Sequence, residues 1–179
     1  MSILTIILII LGAAIVLLLI AAALSSEDYA IETDIVINKP VAAVFDYVKY
    51  LENQGTYNKW VMIDPNVRKT FKGTDGTVGF FYAWESDNKQ VGKGEQTITG
   101  LTDNKKVEYH LRFIEPFQGE AESYIATEGL TNGQTKVTWV FFGKRNFMMK
   151  VMHLVFNLKK KLQKDLHTSL MNLKGVLEH

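Results

Sequence analysis

The sequence predicts an α+β protein in which one N-terminal transmembrane helix precedes a seven-stranded curved antiparallel sheet, wrapped around a long C-terminal helix. Three observations support this prediction. An unbroken apolar run opens the chain, short alternating segments separated by turn dipeptides fill its middle, and a helical apolar repeat ends it. We therefore divide the chain into a transmembrane anchor, residues 1–25, and a folded domain, residues 26–179.

The apolar run Ile3–Leu24 contains no charged residue. At about 1.5 Å per residue, a helix of this length spans roughly 33 Å, close to the hydrocarbon core of a bilayer. The small residues Ala21, Ala22 and Ala23 would also suit a signal-peptide cleavage site. An uncleaved anchor is favoured, because the run exceeds a usual signal core and no Lys or Arg precedes it. The first basic residue after the run is Lys39, which slightly favours a domain outside the cytoplasm.

The folded domain is predicted to begin with a strand and a helix. Residues 29–37 follow the period-two pattern of a strand, and Pro40 suits the start of a helix after it. One face of that helix would be apolar, with residues at helical spacing: Val41, Val44, Phe45 and Val48. Residues 53–60 indicate a short second helical piece.

Residues 67–142 repeat a strand pattern with turns between the strands. The apolar runs are separated by dipeptides that tolerate the positive φ angles of tight hairpins: Asp75-Gly76, Asp87-Asn88, Asp103-Asn104 and Asn132-Gly133. We predict strands at 67–72, 77–86, 90–101, 105–114, 117–128 and 135–143. Because short turns join them, successive strands must run antiparallel. With the first strand they make seven.

The C-terminal segment predicts one helix from about residue 145 to residue 177. Apolar residues recur there every three or four positions: Met148, Val151, Val155, Leu158, Leu162, Leu166, Leu170, Leu173 and Leu177. Between residues 147 and 158 only Lys150, His153 and Asn157 interrupt the apolar sequence, as one narrow polar stripe. A helix that is apolar over most of its circumference must be covered on several sides, and a curved sheet would provide that cover.

Several short motifs occur in this order of elements. They are Ile-Val-Ile-Asn-Lys-Pro at 35–40 with Val-Phe-Asp-Tyr-Val at 44–48, Phe-Lys-Gly at 71–73 with Val-Gly at 78–79, Gly-Lys-Gly at 92–94 with Ile98, Thr-Lys-Val-Thr-Trp at 135–139, and Leu-Lys at 173–174. Together they resemble the START-like helix-grip (SRPBCC) superfamily, and most closely its bacterial branch of polyketide cyclases and lipid-transport proteins. The resemblance covers nearly all of residues 29–177. It implies a deep apolar cavity between the sheet and the last helix, which relatives use for lipids, sterols or polyketides.

Strand parity indicates which side chains would line such a cavity. Apolar walls with a few phenol and amide groups are typical of a small-molecule site. Gly92 and Gly94 would leave gaps that admit a ligand. The predicted ligand-binding residues are Phe80, Tyr82, Trp84, Gln96, Tyr109, Leu111, Phe113, Trp139, Met148 and Met152, with Met149 beside them. The alternative interpretation is that each of these residues simply packs in the core.

Composition and motifs exclude several other functions. The chain has no cysteine, which excludes thiol catalysis and cysteinyl zinc sites. Twenty basic and 19 acidic residues give a net charge of +1, without a general attraction to nucleic acid. The four histidines lack ligand spacing, and H-E-x-x-H, Gly-Lys-Ser/Thr and G-x-S-x-G motifs are missing from the sequence. We therefore expect no metal and no cofactor.

Acid–base catalysis is the enzymatic alternative. The carboxylates that lie on or beside predicted strands are Glu95, Glu108, Glu115, Glu120 and Glu122. A carboxylate inside an apolar cavity would have a raised pKa and could move protons. Alternation places Glu95 and Glu108 on the face opposite the expected cavity, and Glu120 and Glu122 together on one hydrated side. The sequence therefore favours a protein that is not an enzyme.

Seven basic residues and no acidic residue occur between positions 144 and 164: Lys144, Arg145, Lys150, Lys159, Lys160, Lys161 and Lys164. They would attract anionic lipid or simply form a solvated face. The predicted function is a membrane-anchored binding or carrier domain for a hydrophobic small molecule such as a lipid, isoprenoid or polyketide-like compound. The alternatives are a polyketide cyclase/dehydrase-like enzyme with a cavity carboxylate, and a module that binds another membrane protein. The expected partners are the ligand and a membrane, without nucleic acid.

Overall fold

The computed structural model of the chain describes residues 2–179 as an α+β fold. The order of elements is α1 (Ile3–Leu24), β1 (Asp28–Ile37), α2 (Val41–Val48), α3 (Gln54–Tyr57), β2 (Arg68–Lys72), β3 (Phe81–Glu85), β4 (Lys93–Thr102), β5 (Lys106–Glu115), β6 (Gly119–Gly129), β7 (Thr135–Lys144), α4 (Phe147–Phe156) and α5 (Leu158–Glu178). The predicted seven strands and N-terminal apolar helix are confirmed.

The seven strands form one antiparallel sheet in the order β1-β7-β6-β5-β4-β3-β2. Consecutive strands from β2 to β7 are neighbours, and β1 joins the sheet at β7, where Ile35 lies opposite Val137. Strand β3 is shorter than predicted, because Gly76 and Gly79 adopt φ angles of 75° and 92° and keep the residues before it in turns. Register shifts in β4 near Gly94 and Gly100 bend the sheet.

The core lies between one face of this sheet and the helices α2 and α5. Leu166, Leu170 and Leu173 of α5 are fully buried, and Val44 and Val48 of α2 are buried with them. Their spacing follows the apolar faces read from the sequence. Helix α5 packs mainly on β1, and it is therefore the long helix around which the sheet curves.

The C-terminal segment differs from the prediction of one long helix. It forms two helices, α4 and α5, which meet at Asn157. Asn157 has φ and ψ of 47°, the left-handed conformation, which interrupts the helical hydrogen-bond pattern. The apolar periodicity runs across this position, so the hydrophobic pattern alone did not reveal the break. Helix α4 contacts α1 and also contacts α5.

Substituting Asn157 tests the break between α4 and α5. Asn and Gly tolerate the left-handed conformation, whereas a residue with a plain Cβ does so at a cost of roughly 1–2 kcal/mol. We expect Asn157→Ala to lower the free energy of unfolding by about 1 kcal/mol, measured by urea titration of the detergent-solubilised chain. Asn157→Gly should stay close to wild type, and equal losses in both variants would contradict the explanation.

Helix α1 extends away from the folded part of the chain. It is long and apolar enough to cross a membrane, a property that it shares with signal sequences. Its side chains are exposed except at the last turns, where Ala22 is fully buried. The Ser2 hydroxyl accepts a hydrogen bond from the Thr5 amide at 3.2 Å and caps its N-terminus.

Candidate functional site

A cavity of about 390 Å³ lies between the inner face of the sheet and the helices that cover it. Strand β1 and strands β3 to β7 form one wall, and α4 with the first half of α5 forms the other. The third side is the segment around α3, which contributes Gln54, Asn58 and Trp60. The volume is within the range of about 300–1,000 Å³ that is usual for small-molecule sites.

The cavity is closed at one end and open at the other. Gln54, Asn58 and Leu166 are buried lining residues of its closed part. The loop between β5 and β6, residues 115–118, also lines the cavity but is exposed, with Phe117 at 64%. A neighbouring depression is lined by part of this loop and by Ala23 of α1. The opening therefore lies at the end of the domain from which α1 projects.

The structure brings seven of the ten predicted ligand-binding residues together on the cavity wall. These are Tyr82, Trp84, Gln96, Leu111, Phe113, Trp139 and Met152. Their role in binding remains a prediction. The other three residues, Phe80, Tyr109 and Met148, lie outside the lining.

Phe80 and Tyr109 belong to the packed core. Tyr109 is on the expected face of β5, but α2 covers that part of the sheet and the Tyr109 hydroxyl donates a hydrogen bond to the Val48 carbonyl at 3.2 Å. Phe80 precedes β3 and stacks on Phe71, with 5.9 Å between the ring centroids. Strand parity correctly predicted their burial, but it does not predict which part of the face a helix covers.

Met148 points away from the cavity and is 63% exposed. Its neighbours Met149 and Met152 line the cavity. Because successive helix residues are about 100° apart, Met148 and Met149 cannot share a face. Neither the position nor the rotation of α4 can be predicted from the sequence, since most of that helix is apolar.

Two predicted gaps in the wall are filled by the protein itself. A Cβ atom at Gly94 would lie 2.2 Å from the Trp84 ring, so the indole occupies that space. At Gly92 a Cβ atom would lie 2.0 Å from the Glu115 carbonyl oxygen. These glycines permit close packing at the cavity rim and leave no space for a ligand.

The polar groups of the wall are few and mostly uncharged. Tyr82 lies opposite Gln96 in the β3–β4 ladder, and burial raises the pKa of the Tyr82 phenol to about 12. The Ser123 hydroxyl accepts a hydrogen bond from the Trp139 indole at 2.9 Å and donates one to the Val140 carbonyl at 2.8 Å. The Gln54 side-chain nitrogen is buried without a hydrogen-bond partner within residues 2–179.

Several other residues line the cavity that strand parity does not indicate. The helix-side wall contains His153, Leu158, Leu162 and Leu166, and the opening contains Phe117. The apolar repeat had indicated that the three leucines are buried, without separating cavity wall from core. Phe117 follows Pro116 in a loop, where neither period-two nor helical spacing gives a signal.

His153 is a buried titratable residue of the cavity wall, contributed by α4. It is 9% exposed and lies beside Tyr29, with 5.5 Å between the two rings. Burial lowers the pKa of His153 below its ordinary value of 6.5, and the positive charge of Arg145 lowers it further. Burial raises the pKa of the Tyr29 phenol, so both groups are neutral at physiological pH.

The pKa of His153 predicts a loss of stability in acid. Because the folded chain binds this proton less readily than the unfolded chain, stability falls as pH decreases through about 6.5. We expect the thermal midpoint to fall between about pH 7.5 and pH 5, and to fall less in His153→Gln. Calorimetry of both detergent-solubilised proteins measures this difference. Identical pH dependence in wild type and variant would contradict the assignment.

The carboxylates that were considered for catalysis lie outside the cavity or at its opening. Glu95, Glu108 and Glu122 are on the outer face, where they pair with Arg112 at 3.5 Å, Lys106 at 2.8 Å and His110 at 2.8 Å, respectively. Glu115 and Glu120 line the cavity only as exposed residues near its opening. Within residues 2–179, no group of three His, Asp or Glu side chains could hold a metal ion.

Solved structures share this architecture at low sequence identity. A protein of unknown function from Staphylococcus aureus is 12% identical with a TM-score of 0.63, over 86% of this chain and 96% of that one. The Aha1 dimer from Colwellia psychrerythraea is 16% identical with a TM-score of 0.57, over 84% and 96%. Ara h 8.0201 is 11% identical with a TM-score of 0.57, over 84% and 97%.

These similarities decide the fold. The chain has a helix-grip fold. No protein-family model matches the sequence, and no curated protein sequence matches it either. At 11–16% identity, these structural neighbours are evidence for a shared fold and not for a shared function.

Proposed function

We propose that the protein is a membrane-anchored binding or carrier protein for a hydrophobic small molecule. The observation that carries this proposal is the cavity of about 390 Å³ between the sheet and the helices, closed at one end and lined by aromatic and aliphatic side chains. A space of this kind is costly to leave empty, since its lining loses van der Waals contacts that a filled core would have. A bound apolar molecule would restore those contacts.

The lining supports a ligand with a neutral, apolar body and few polar atoms. Trp84, Phe113 and Trp139 offer ring faces, and the flexible Met149 and Met152 can adapt to an irregular shape. The phenol of Tyr82 stays protonated and, with the amide of Gln96, provides hydrogen bonds for a carbonyl or hydroxyl group. A lipid, an isoprenoid or a polyketide-like compound meets these requirements.

The anchor is part of the proposal. We assign residues 1–25 to an uncleaved transmembrane segment and residues 26–179 to the binding domain. Support comes from the last turns of α1, where Ala22 is fully buried and α1 contacts α4. Cleavage near Ala23 would remove these contacts. The domain is assigned to the side away from the cytoplasm, because the first basic residue after the span is Lys39.

An enzyme is the second candidate, and His153 is the observation that favours it. The neutral His153 imidazole lines the cavity and could accept a proton from a bound substrate. The test is incubation of an apolar extract with wild type and with His153→Gln, followed by mass spectrometry. A product formed by wild type alone would support the enzyme, and unchanged extracts would contradict it.

Photolabelling tests the binding proposal on the full chain in lipid nanodiscs. Trifluoromethyl-phenyldiazirine is a small apolar probe that inserts into neighbouring side chains on illumination. We expect mass spectrometry of the peptides to find adducts in β3 and β5 as well as in α1. The α1 adducts serve as the internal control for labelling within the bilayer. Adducts in α1 with none in β3 and β5 would contradict a ligand-accessible cavity.

A further inference from the structure

Helix α4 buries polar side chains and exposes apolar ones, which is the reverse of an ordinary surface helix. Its buried residues are Lys150 and His153, which are 7% and 9% exposed. Its large apolar side chains are exposed instead: Phe147, Met148, Leu154, Val155 and Phe156. A surface helix of a soluble protein normally buries its apolar stripe and exposes its polar one. The outer face of α4 is therefore suited to contact with an apolar environment.

Four of the five exposed apolar residues share one face of the helix. At about 100° per residue, Phe147, Met148, Leu154 and Val155 fall within an arc of about 120° that also includes the half-buried Val151, whereas Phe156 in the last turn lies outside it. Met149, Met152 and His153 point the other way and line the cavity. A single helix thus separates the interior of the cavity from an apolar outer face.

Contacts with the linker hold α4 next to α1. The Arg145 guanidinium donates a hydrogen bond to the Ser26 carbonyl at 2.7 Å, and the Arg145 amide donates to the Glu27 carbonyl at 2.8 Å. The Lys150 ammonium lies 3.7 Å from the Glu27 carboxylate. Because residues 26–27 directly follow α1, these contacts fix α4 at the end of the proposed span.

Charge also favours a lipid surface at this place. Lys159, Lys160, Lys161 and Lys164 are exposed at the start of α5, immediately after α4. Lysines at a helix N-terminus are opposed by the helix dipole, which an anionic surface would offset. Near such a surface each exposed lysine is attracted to the anionic headgroups.

We propose that the outer face of α4, together with Phe117, inserts into the bilayer surface beside α1 and forms the lipid-facing entrance of the cavity. This inference rests on the proposed anchor and binding function. The ligand then passes between the bilayer and the cavity past α4 and Phe117 without crossing water. A symmetric second copy fits the surface less well, since a two-fold contact would bring the same lysines together.

Site-specific fluorescence tests the insertion, and the absence of cysteine from the chain makes single labels straightforward. The full chain carries an NBD label at Met148→Cys or Val155→Cys, in nanodiscs of phosphatidylcholine and phosphatidylglycerol. The same label at Ala13→Cys in α1 is the control for a position inside the bilayer. Asn132→Cys, exposed in the β6–β7 turn at the end of the sheet away from α1, reports on water. Doxyl-labelled lipid and aqueous iodide are the two quenchers.

We expect doxyl lipid to quench most of the fluorescence at residues 148, 155 and 13, and iodide to quench residue 132 alone. If residue 13 is quenched by lipid while 148 and 155 respond to iodide like 132, the insertion is wrong and the anchor stands. Protection of 148 and 155 from both quenchers would identify a protein cover, which also overturns the inference. Loss of lipid quenching at residue 13 would instead show that the proposed anchor has failed.

Discussion

Leu111→Trp is expected to abolish ligand binding while the fold is retained. Leu111 lies on the cavity wall in β5, opposite Gln96 of β4 and Ala121 of β6. An indole at this position would project into the space of about 390 Å³ and exclude an apolar ligand. Overpacking in a filled core costs about 1–3 kcal/mol, but a cavity can accept the larger side chain with less strain.

The next residue in β5 provides the matched control. Arg112 points to the outer face, and its side chain is largely exposed, so Arg112→Trp adds the same indole outside the cavity. Photolabelling in nanodiscs should show a loss of β3 adducts of at least about tenfold in Leu111→Trp, equivalent to about 1.4 kcal/mol. Adducts in α1 should be unchanged. Equal β3 labelling of wild type, Leu111→Trp and Arg112→Trp would show that the probe does not bind in this cavity.

Leu170→Ala should produce the largest loss of stability. Leu170 of α5 is fully buried in the core and does not line the cavity. Truncating a buried leucine removes its transfer free energy and leaves a void, which together cost about 2–5 kcal/mol. Urea unfolding of the detergent-solubilised chain, followed by circular dichroism, measures this loss.

Met171→Ala is the control at the neighbouring position. Met171 is 49% exposed, so its truncation should change the free energy of unfolding by no more than about 0.5 kcal/mol. A small effect of Leu170→Ala, or equal effects of the two substitutions, would contradict the position of α5 against the sheet.

The faces of the strands could be predicted from the sequence because a sheet has a strict period of two. Leu111 and Phe113 were assigned to the inner face of β5 in this way, and both line the cavity. Tyr109 shares that face, but it packs under α2 instead. Alternation gives the side of a sheet on which a residue lies, whereas the helix that covers it depends on tertiary packing.

Helix α4 was predicted less well for a related reason. An amphipathic helix reveals its buried side through its apolar stripe, but most residues of α4 are apolar. The narrow polar stripe predicted from the sequence includes Lys150 and His153, and both of these residues are buried. The break at Asn157 was also missed, since left-handed backbone at an Asn leaves the hydrophobic repeat intact.

The most direct test of the central claim is native mass spectrometry of the full chain, purified in mild detergent from the membranes of its own organism. If the cavity holds an apolar molecule, collisional release from the micelle will leave protein with one small-molecule adduct, and Leu111→Trp prepared in the same way will lack it. Bare wild-type protein, or an adduct that Leu111→Trp retains in full, would contradict the claim that the ligand occupies this cavity.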